Sequence, residues 1–250
     1  MEHLLLNAAF AVVVLIITWL AGWPPFSHQR KKRIGVDYTA GEALACGIFL
    51  GAAILHMLPE ANEAFHNAGF HYPVAFLGAG VVFLFLLWLE HLGTHLSEHE
   101  SSNSPAYAWL STAVLSVHSL LAGAALGSTS AISTAVIIMV AVIAHKWAAS
   151  FALAVKLVQS GQSLKSNLIA FGIFSAAFPL GVGLGALANM PMGDNLLEPI
   201  FNSFAAGTFL YLGTLHGLTR ATLINRCCNR RDFNYVIVGF VVMALVALVH

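Results

Sequence analysis

The amino-acid sequence predicts an all-α, polytopic membrane protein with eight transmembrane helices. Three observations carry this reading. Of the 250 residues, 58% are hydrophobic and only 9% are charged, whereas a soluble domain carries about 25% charged residues. So little polar surface cannot cover a water-soluble globule, and lipid must cover the remainder. The apolar residues fall into eight runs, each near the ~20 residues that a helix needs to cross a bilayer. The Lys and Arg residues between the runs cluster on alternate connections, the asymmetry expected of a positive inside face. Residues 1–250 form a single eight-helix transmembrane domain, because no connection is long enough for a separate soluble one.

The runs follow in order. Span 1 extends from near Leu4 to Trp23. It lacks a basic start, and its apolar stretch is too long for a signal core, so it is read as a span. Arg30, Lys31, Lys32 and Arg33 follow it. Span 2 covers Thr39 to Pro59 and leads into Glu60 and Glu63. Span 3 covers Pro73 to Leu92. Residues 93–105 then form a His-containing cytoplasmic loop before span 4, Ala106 to Gly127. Span 5, Ala131 to Val158, and span 6, Ser166 to Ala188, are joined by a connection flanked by Lys156 and Lys165. Asp194 and Glu198 lie toward span 7, Leu196 to Leu218. Arg220, Arg226, Arg230 and Arg231 precede span 8, Asn234 to Val249. With eight spans all the basic connections share one side, and both termini face the other. The expected location is a cell membrane, plasma or inner, with both termini non-cytoplasmic.

A net charge of zero argues against a nucleic-acid partner. The three cysteines give no disulfide framework: Cys46 lies in an apolar run, and Cys227 and Cys228 sit among arginines on the cytosolic side. Histidine is in excess, with 12 His against 11 Lys and Arg together.

Two histidines stand at midplane depth, His118 in span 4 and His145 in span 5. Consecutive antiparallel helices can bring them to one point. Neutral imidazole is a ligand for Zn, Cu, Fe and Ni, and two such groups left unpartnered in hydrocarbon would cost several kcal/mol. A helix-to-helix hydrogen bond is the alternative reading. Small residues surround the pair: Ala122 and Ala149 lie one turn beyond each His, with Gly123 and Gly127 nearby. Lys146, next to His145, is a mid-membrane charge and should face a cavity or a partner.

His118-Ser119-x-x-x-Gly123-x-x-x-Gly127 resembles the fourth-helix signature of the ZIP family of zinc and iron permeases. His145-Lys146 resembles the start of the fifth-helix metal motif in one branch of it. Ser203-Phe204-Ala205-Ala206-Gly207-Thr208-Phe209-Leu210-Tyr211 resembles the seventh-helix motif. Phe178-Pro179-Leu180-Gly181-Val182-Gly183 and His56-Met57-Leu58-Pro59-Glu60 resemble parts of helices six and two. The departures are specific. Ala122 stands where many members carry an acid, Lys146 and Phe178 where binuclear members use carboxylates, and His216 where a Glu is common. The resemblance therefore implies one metal position around His118 and His145, completed by Ser119 and water, with the Lys146 ammonium as a surrogate for a second cation. His56 and Glu60 are candidate entrance residues and His216 a candidate exit ligand; an interfacial, solvated His is the alternative at both positions. His91, His95 and His99, spaced by four, are a candidate cytoplasmic metal-binding or regulatory segment. The resemblance also implies a ZIP-like bundle of three, two and three helices with inverted repeats, a homodimer, and an elevator-like motion.

The function so implied is transport of divalent metal cations toward the cytoplasm, with Zn²⁺ the expected substrate and Fe²⁺, Mn²⁺ or Cd²⁺ as further candidates. An intramembrane zinc-dependent hydrolase is the alternative. It requires an activated water and an acidic base, yet no His-Glu-x-x-His motif and no mid-membrane acid is present, Glu42 and Glu90 lying toward the cytoplasmic ends. A non-transporting metal sensor would need a signalling domain. The chain is therefore read as a transporter and not as an enzyme.

Overall fold

A computed structural model describes residues 2–31, 37–96, 105–129, 132–188, 196–214 and 230–248. Among these the regular secondary structure is helical throughout. Span 1 is α1 (Glu2–Arg30). Span 2 is one continuous rod made of α2 (Thr39–Gly51), a π-helical turn (Ala52–Met57) and α3 (Leu58–Asn67). Spans 3 to 6 are α4 (Val74–Leu96), α5 (Pro105–Ser128), α6 (Ile132–Gln159) and α7 (Leu164–Ala188). Spans 7 and 8 are α8 (Leu197–Tyr211) and α9 (Arg230–Ala247). Six of these rods are long and apolar enough to cross a membrane. The described part of α8 has 15 residues, and α9 opens on Arg230, Arg231 and Asp232. The protein is an all-α, multi-pass integral membrane protein.

Two helices run further than their sequence suggests, both past proline. Pro24 and Pro25 lie inside α1, which continues to Arg30. Proline removes one backbone donor per ring and leaves the carbonyls of Leu20 and Ala21 without their helical partners; the Ser27 hydroxyl donates to the Pro24 carbonyl at 2.9 Å in the following turn. Pro59 opens α3 directly after the π-helical turn. At that register its missing N–H is tolerated, so the rod continues to Asn67.

The helices pack as two bodies. One contains α1, α5, α6 and α7; the other contains α2, α3, α4, α8 and α9. They meet chiefly where α5 touches α8 and α2 touches α6. The pairings also repeat. Span 4 packs on span 6 as span 5 packs on span 1, and span 2 packs on span 8 as span 7 packs on span 3. Likewise span 4 meets span 7 as span 5 meets span 2. Exchanging spans 1–3 with 6–8, and span 4 with span 5, thus preserves the packing. Spans 1 and 6 are five crossings apart and run in opposite directions, so the repeats are inverted. The internal symmetry is written in packing, although it is not readable in the sequence.

Glycine permits the tightest crossing. A β-carbon at Gly123 of α5 would strike the Phe178 carbonyl of α7, and one at Gly181 of α7 would strike the Leu120 carbonyl of α5. The two backbones are in direct contact there, as small-residue helix interfaces in membranes allow. The apolar windows of α2–α3, α5 and α6 are each 67% buried, against 28% for α1 and 17% for α4. α5 and α6, which carry His118 and His145, are therefore central. Many large apolar side chains are exposed along the helices, among them Leu20, Val81, Leu84, Leu180 and Leu187, as a lipid-facing belt requires.

The basic end of the bundle is tied by polar contacts. His28 of α1 meets the Tyr38 hydroxyl at 2.8 Å. Arg231 of α9 reaches Asp37 at 3.3 Å. Hydrogen bonds from the Thr39 side chain and backbone hold the Asp37 carboxyl below its usual range, helped by the Arg231 guanidinium.

Candidate metal centre

The centre of the bundle is polar where the two bodies meet. His118 and His145 are both buried, and their ring centroids lie 5.6 Å apart at an interplanar angle of 78°. Two imidazoles on one Zn²⁺, with Zn–N near 2.0–2.1 Å, place their centroids about 5 Å apart at a tetrahedral angle. The observed spacing is close to that.

The tautomer of His118 follows from its neighbours. Its Nδ1 lies 2.9 Å from the Thr208 hydroxyl and 3.2 Å from the Ala205 carbonyl. The Thr208 hydroxyl itself donates to that same carbonyl at 2.6 Å. Its proton is thus committed, and a carbonyl only accepts, so Nδ1 of His118 is the donor. Nε2 then carries the free lone pair, and this buried atom has no hydrogen-bond partner. A hydrogen bond that fixes one ring nitrogen so that the other faces a metal is the usual outer-shell arrangement of metal-binding histidine. Nδ1 of His145 is likewise buried without a partner. Two orphaned nitrogens on neighbouring buried rings are costly while they stay without a partner.

Phe209 of α8 forms the wall of this space. Its ring stacks on His118 at 3.6 Å and 20°, and meets His145 edge-on at 4.9 Å and 85°. Phe49 of α2 stacks behind it at 4.9 Å. The rings keep water from that side of the imidazoles. Phe209 and Thr208 were present in the seventh-helix motif, but their part at the centre depends on the rotation of α8, which spacing does not give.

Ser119 and Lys146 face a neighbouring compartment. The Lys146 ammonium donates to the Ser119 hydroxyl at 2.7 Å. It lies 4.1 Å from the centroid of Phe174 and 5.5 Å from that of Phe178, both on α7. Successive residues on a helix point about 100° apart, so α5 sends His118 toward α8 and Ser119 toward α7. The charge at mid-depth is therefore partnered by a hydroxyl and two ring faces. Ala122 and Ala149 are buried beside the centre.

His56 sits in the π-helical turn of span 2 and is buried. Its Nδ1 pairs with Glu60 at 3.1 Å, and it lies close enough to act electrostatically on His145. A π-bulge re-aims one side chain out of helical register and recurs at functional sites. His91 is exposed at the end of α4. His95 falls within α4, its side chain outside the described set; His99, His216, Cys227 and Cys228 lie outside the described residues. Among the described residues no three His, Cys, Asp or Glu side chains converge on one point. The centre is thus a two-imidazole arrangement.

The sequence can be compared with known proteins on this footing. A family model described as ZIP zinc transporter matches residues 4–108 and 97–247. The chain belongs to the ZIP family. Among curated relatives of this ZIP protein, zinc transporter ZIP2 of Homo sapiens is 26% identical, over 82% of this chain and 83% of its own. Zinc transporter ZIP2 of Mus musculus is 27% identical over 95% and 96%. Zinc transporter ZIP1 of Takifugu rubripes is 33% identical over a shorter stretch, 48% of this chain and 40% of its own. The first stretch of the ZIP match includes span 2, and the second includes α6, α8 and the part of α5 that carries His118.

One further cluster lies toward the basic end. Glu90 of α4 accepts hydrogen bonds from the hydroxyls of Tyr107 on α5 and Tyr211 on α8, the latter at 2.9 Å. The Tyr107 bond crosses between the two bodies of this ZIP fold. Sequence reading placed Glu90 near the cytoplasmic end but gave no sign of its partners.

Proposed function

We propose that this ZIP protein carries divalent metal cations, Zn²⁺ foremost, across the membrane toward the cytoplasm, with the ion held in transit by His118 and His145. The observation that carries the proposal is the pair of buried imidazoles with unpartnered nitrogens, one of them fixed by Thr208 as a neutral ligand. Two protein ligands leave a tetrahedral ion open on its remaining positions. An open shell suits a carrier, which must release what it binds. Water is the first candidate to complete it; the Ser119 hydroxyl, which accepts from Lys146 on the α7 side, joins only by turning away from that partner. The Lys146 ammonium stands on the α7 side in place of a second cation, so only one ion is held.

His56 and Glu60 bring the ion in from the non-cytoplasmic side, and His216 receives it toward the cytoplasm. Residues 93–105, with His91 before and His95 and His99 within, act as a cytoplasmic metal-sensing segment. The direction rests on the basic connections, which put the Arg30 and Arg230 ends of the helices in the cytoplasm. The homodimer, the cell-membrane location and Fe²⁺, Mn²⁺ or Cd²⁺ as further substrates rest on the family resemblance. The relatives that match are named as zinc transporters, and nothing in the comparisons or the site favours the hydrolase.

The experiment is metal uptake into proteoliposomes holding the purified chain, with a panel of Zn²⁺, Fe²⁺, Mn²⁺ and Cd²⁺. Saturable Zn²⁺ uptake that competes with the other ions supports the proposal. Liposomes that take up no metal while the protein is folded and inserted overturn it.

A further inference from the structure

We propose that His66 and His71 form a second metal-binding site, at the non-cytoplasmic end of span 2, that takes a divalent cation such as Zn²⁺ from solution and loads the intramembrane pair. The loading step rests on the function proposed above; the binding step does not.

The pair is assembled by a turn. α3 ends at Asn67, and its last carbonyls are capped by Gly69 N–H to His66 O at 2.9 Å and Phe70 N–H to Phe65 O at 3.0 Å. Gly69 has φ +91, a left-handed conformation that a β-carbon makes costly. This reversal folds residue 71 back beside residue 66. Phe65 is buried, and its ring meets that of Phe70 at 6.0 Å and 81°, which anchors the turn to the core.

The two imidazoles so placed have centroids 5.5 Å apart and planes inclined at 70°. The buried pair has 5.6 Å and 78°. The outer rings thus repeat, within a tenth of an ångström and 8°, a spacing suited to one tetrahedral ion. Both outer histidines are exposed to solvent, so an ion reaches them directly. Glu63, also exposed, lies one turn before His66 and adds negative charge near the pair without converging on it. Water fills the remaining positions of a tetrahedral ion, and such a site exchanges its ion readily.

The same helix connects the two pairs. Glu63, Glu60 and His56 follow one another at helical spacings of three and four and so share a face. Burial increases along it: Glu63 is exposed, Glu60 half-buried and His56 buried. His56 in turn lies within electrostatic range of His145. A cation captured at the turn therefore meets a file of carboxylate and imidazole groups that ends at the intramembrane centre.

The test uses the full chain in lipid nanodiscs with His118→Ala and His145→Ala in place, so the inner pair contributes nothing. Histidines are modified with diethyl pyrocarbonate, with and without Zn²⁺, and the modified peptides are read by mass spectrometry. The proposal expects Zn²⁺ to protect His66 and His71 together, and His66→Gln to remove the protection of His71. Equal modification with and without Zn²⁺ overturns the site. With the inner pair intact, His66→Gln/His71→Gln is expected to raise the KM for Zn²⁺ uptake several-fold at an unchanged maximal rate. An unchanged KM overturns the loading role. Protection at the turn in a protein whose inner-intact form carries no metal would sink the transport reading and leave the outer site standing.

Discussion

Replacing Lys146 with Met keeps most of the side-chain volume and removes the charge. In the native protein the ammonium donates to Ser119 at 2.7 Å and lies 4.1 Å from the Phe174 ring centroid. A hydrogen bond to a charged group contributes about 1.5–3 kcal/mol, and a desolvated cation–π contact about 2 kcal/mol. Against these stands the desolvation of a buried ion, several kcal/mol in its own right. The terms nearly cancel, so Lys146→Met should fold with a melting temperature close to native. Metal affinity should change much more. A divalent ion and an ammonium about 10 Å apart at an effective dielectric of about 20 repel by roughly 3 kcal/mol. Removing the charge should therefore tighten Zn²⁺ binding by tenfold to a hundredfold, about 1.4 kcal/mol per decade. The assay is calorimetric Zn²⁺ binding to detergent-solubilised protein, with uptake kinetics in proteoliposomes alongside. An unchanged affinity in folded Lys146→Met protein would show that the ammonium is too distant or too screened to act as a second cation.

Other perturbations separate the remaining elements. Replacing His91, His95 and His99 together should alter the metal sensitivity of uptake while leaving the basal rate largely intact; complete loss of flux in correctly inserted protein would place the pathway through that segment. Gly123→Leu drives a side chain into the Phe178 carbonyl and should destabilise the α5–α7 crossing by at least the ~1–3 kcal/mol typical of overpacking, read as a lower melting temperature in detergent. Asp37→Asn tests the tie at the basic end. The Asp37 carboxyl is held below its usual range, so whatever it adds is full above the ordinary carboxylate pKa and is lost as pH falls through the lower folded value. The substitution should flatten that acid limb of the stability profile, measured by thermal unfolding against pH, and change the neutral value little because the pair is exposed.

Much of the fold was legible because charge is so scarce. Lys and Arg gather at the connections between spans 1 and 2, 5 and 6, and 7 and 8, while those between 2 and 3 and between 6 and 7 carry only acids, a pattern that fits eight crossings. Helix ends were less legible. Pro59 reads as a terminator until the π-helical turn before it supplies a register that tolerates the missing N–H. His118 and His145 stood out because imidazole is rare at mid-depth and both lie in recognisable motifs. Their neighbours did not. That His118 meets Thr208 and Phe209, while Ser119 meets Lys146, is decided by the rotation of α5 and by which helix lies beside it, and neither is encoded in spacing along one segment. The His66–His71 pair needed the left-handed turn at Gly69, which a separation of five residues alone does not reveal. The inverted repeat was legible only in packing, since the two halves keep the same partners with different residues.

The central claim is that His118 and His145 act as one unit on the transported ion. Initial Zn²⁺ uptake by proteoliposomes containing His118→Ala, His145→Ala or the double variant tests it directly, with insertion and melting temperature checked for each. Either single substitution is expected to lower flux at least tenfold, and the double variant to be little worse than either, because one imidazole alone leaves the ion without a second protein ligand. Native flux from a folded, inserted His118→Ala protein would contradict it.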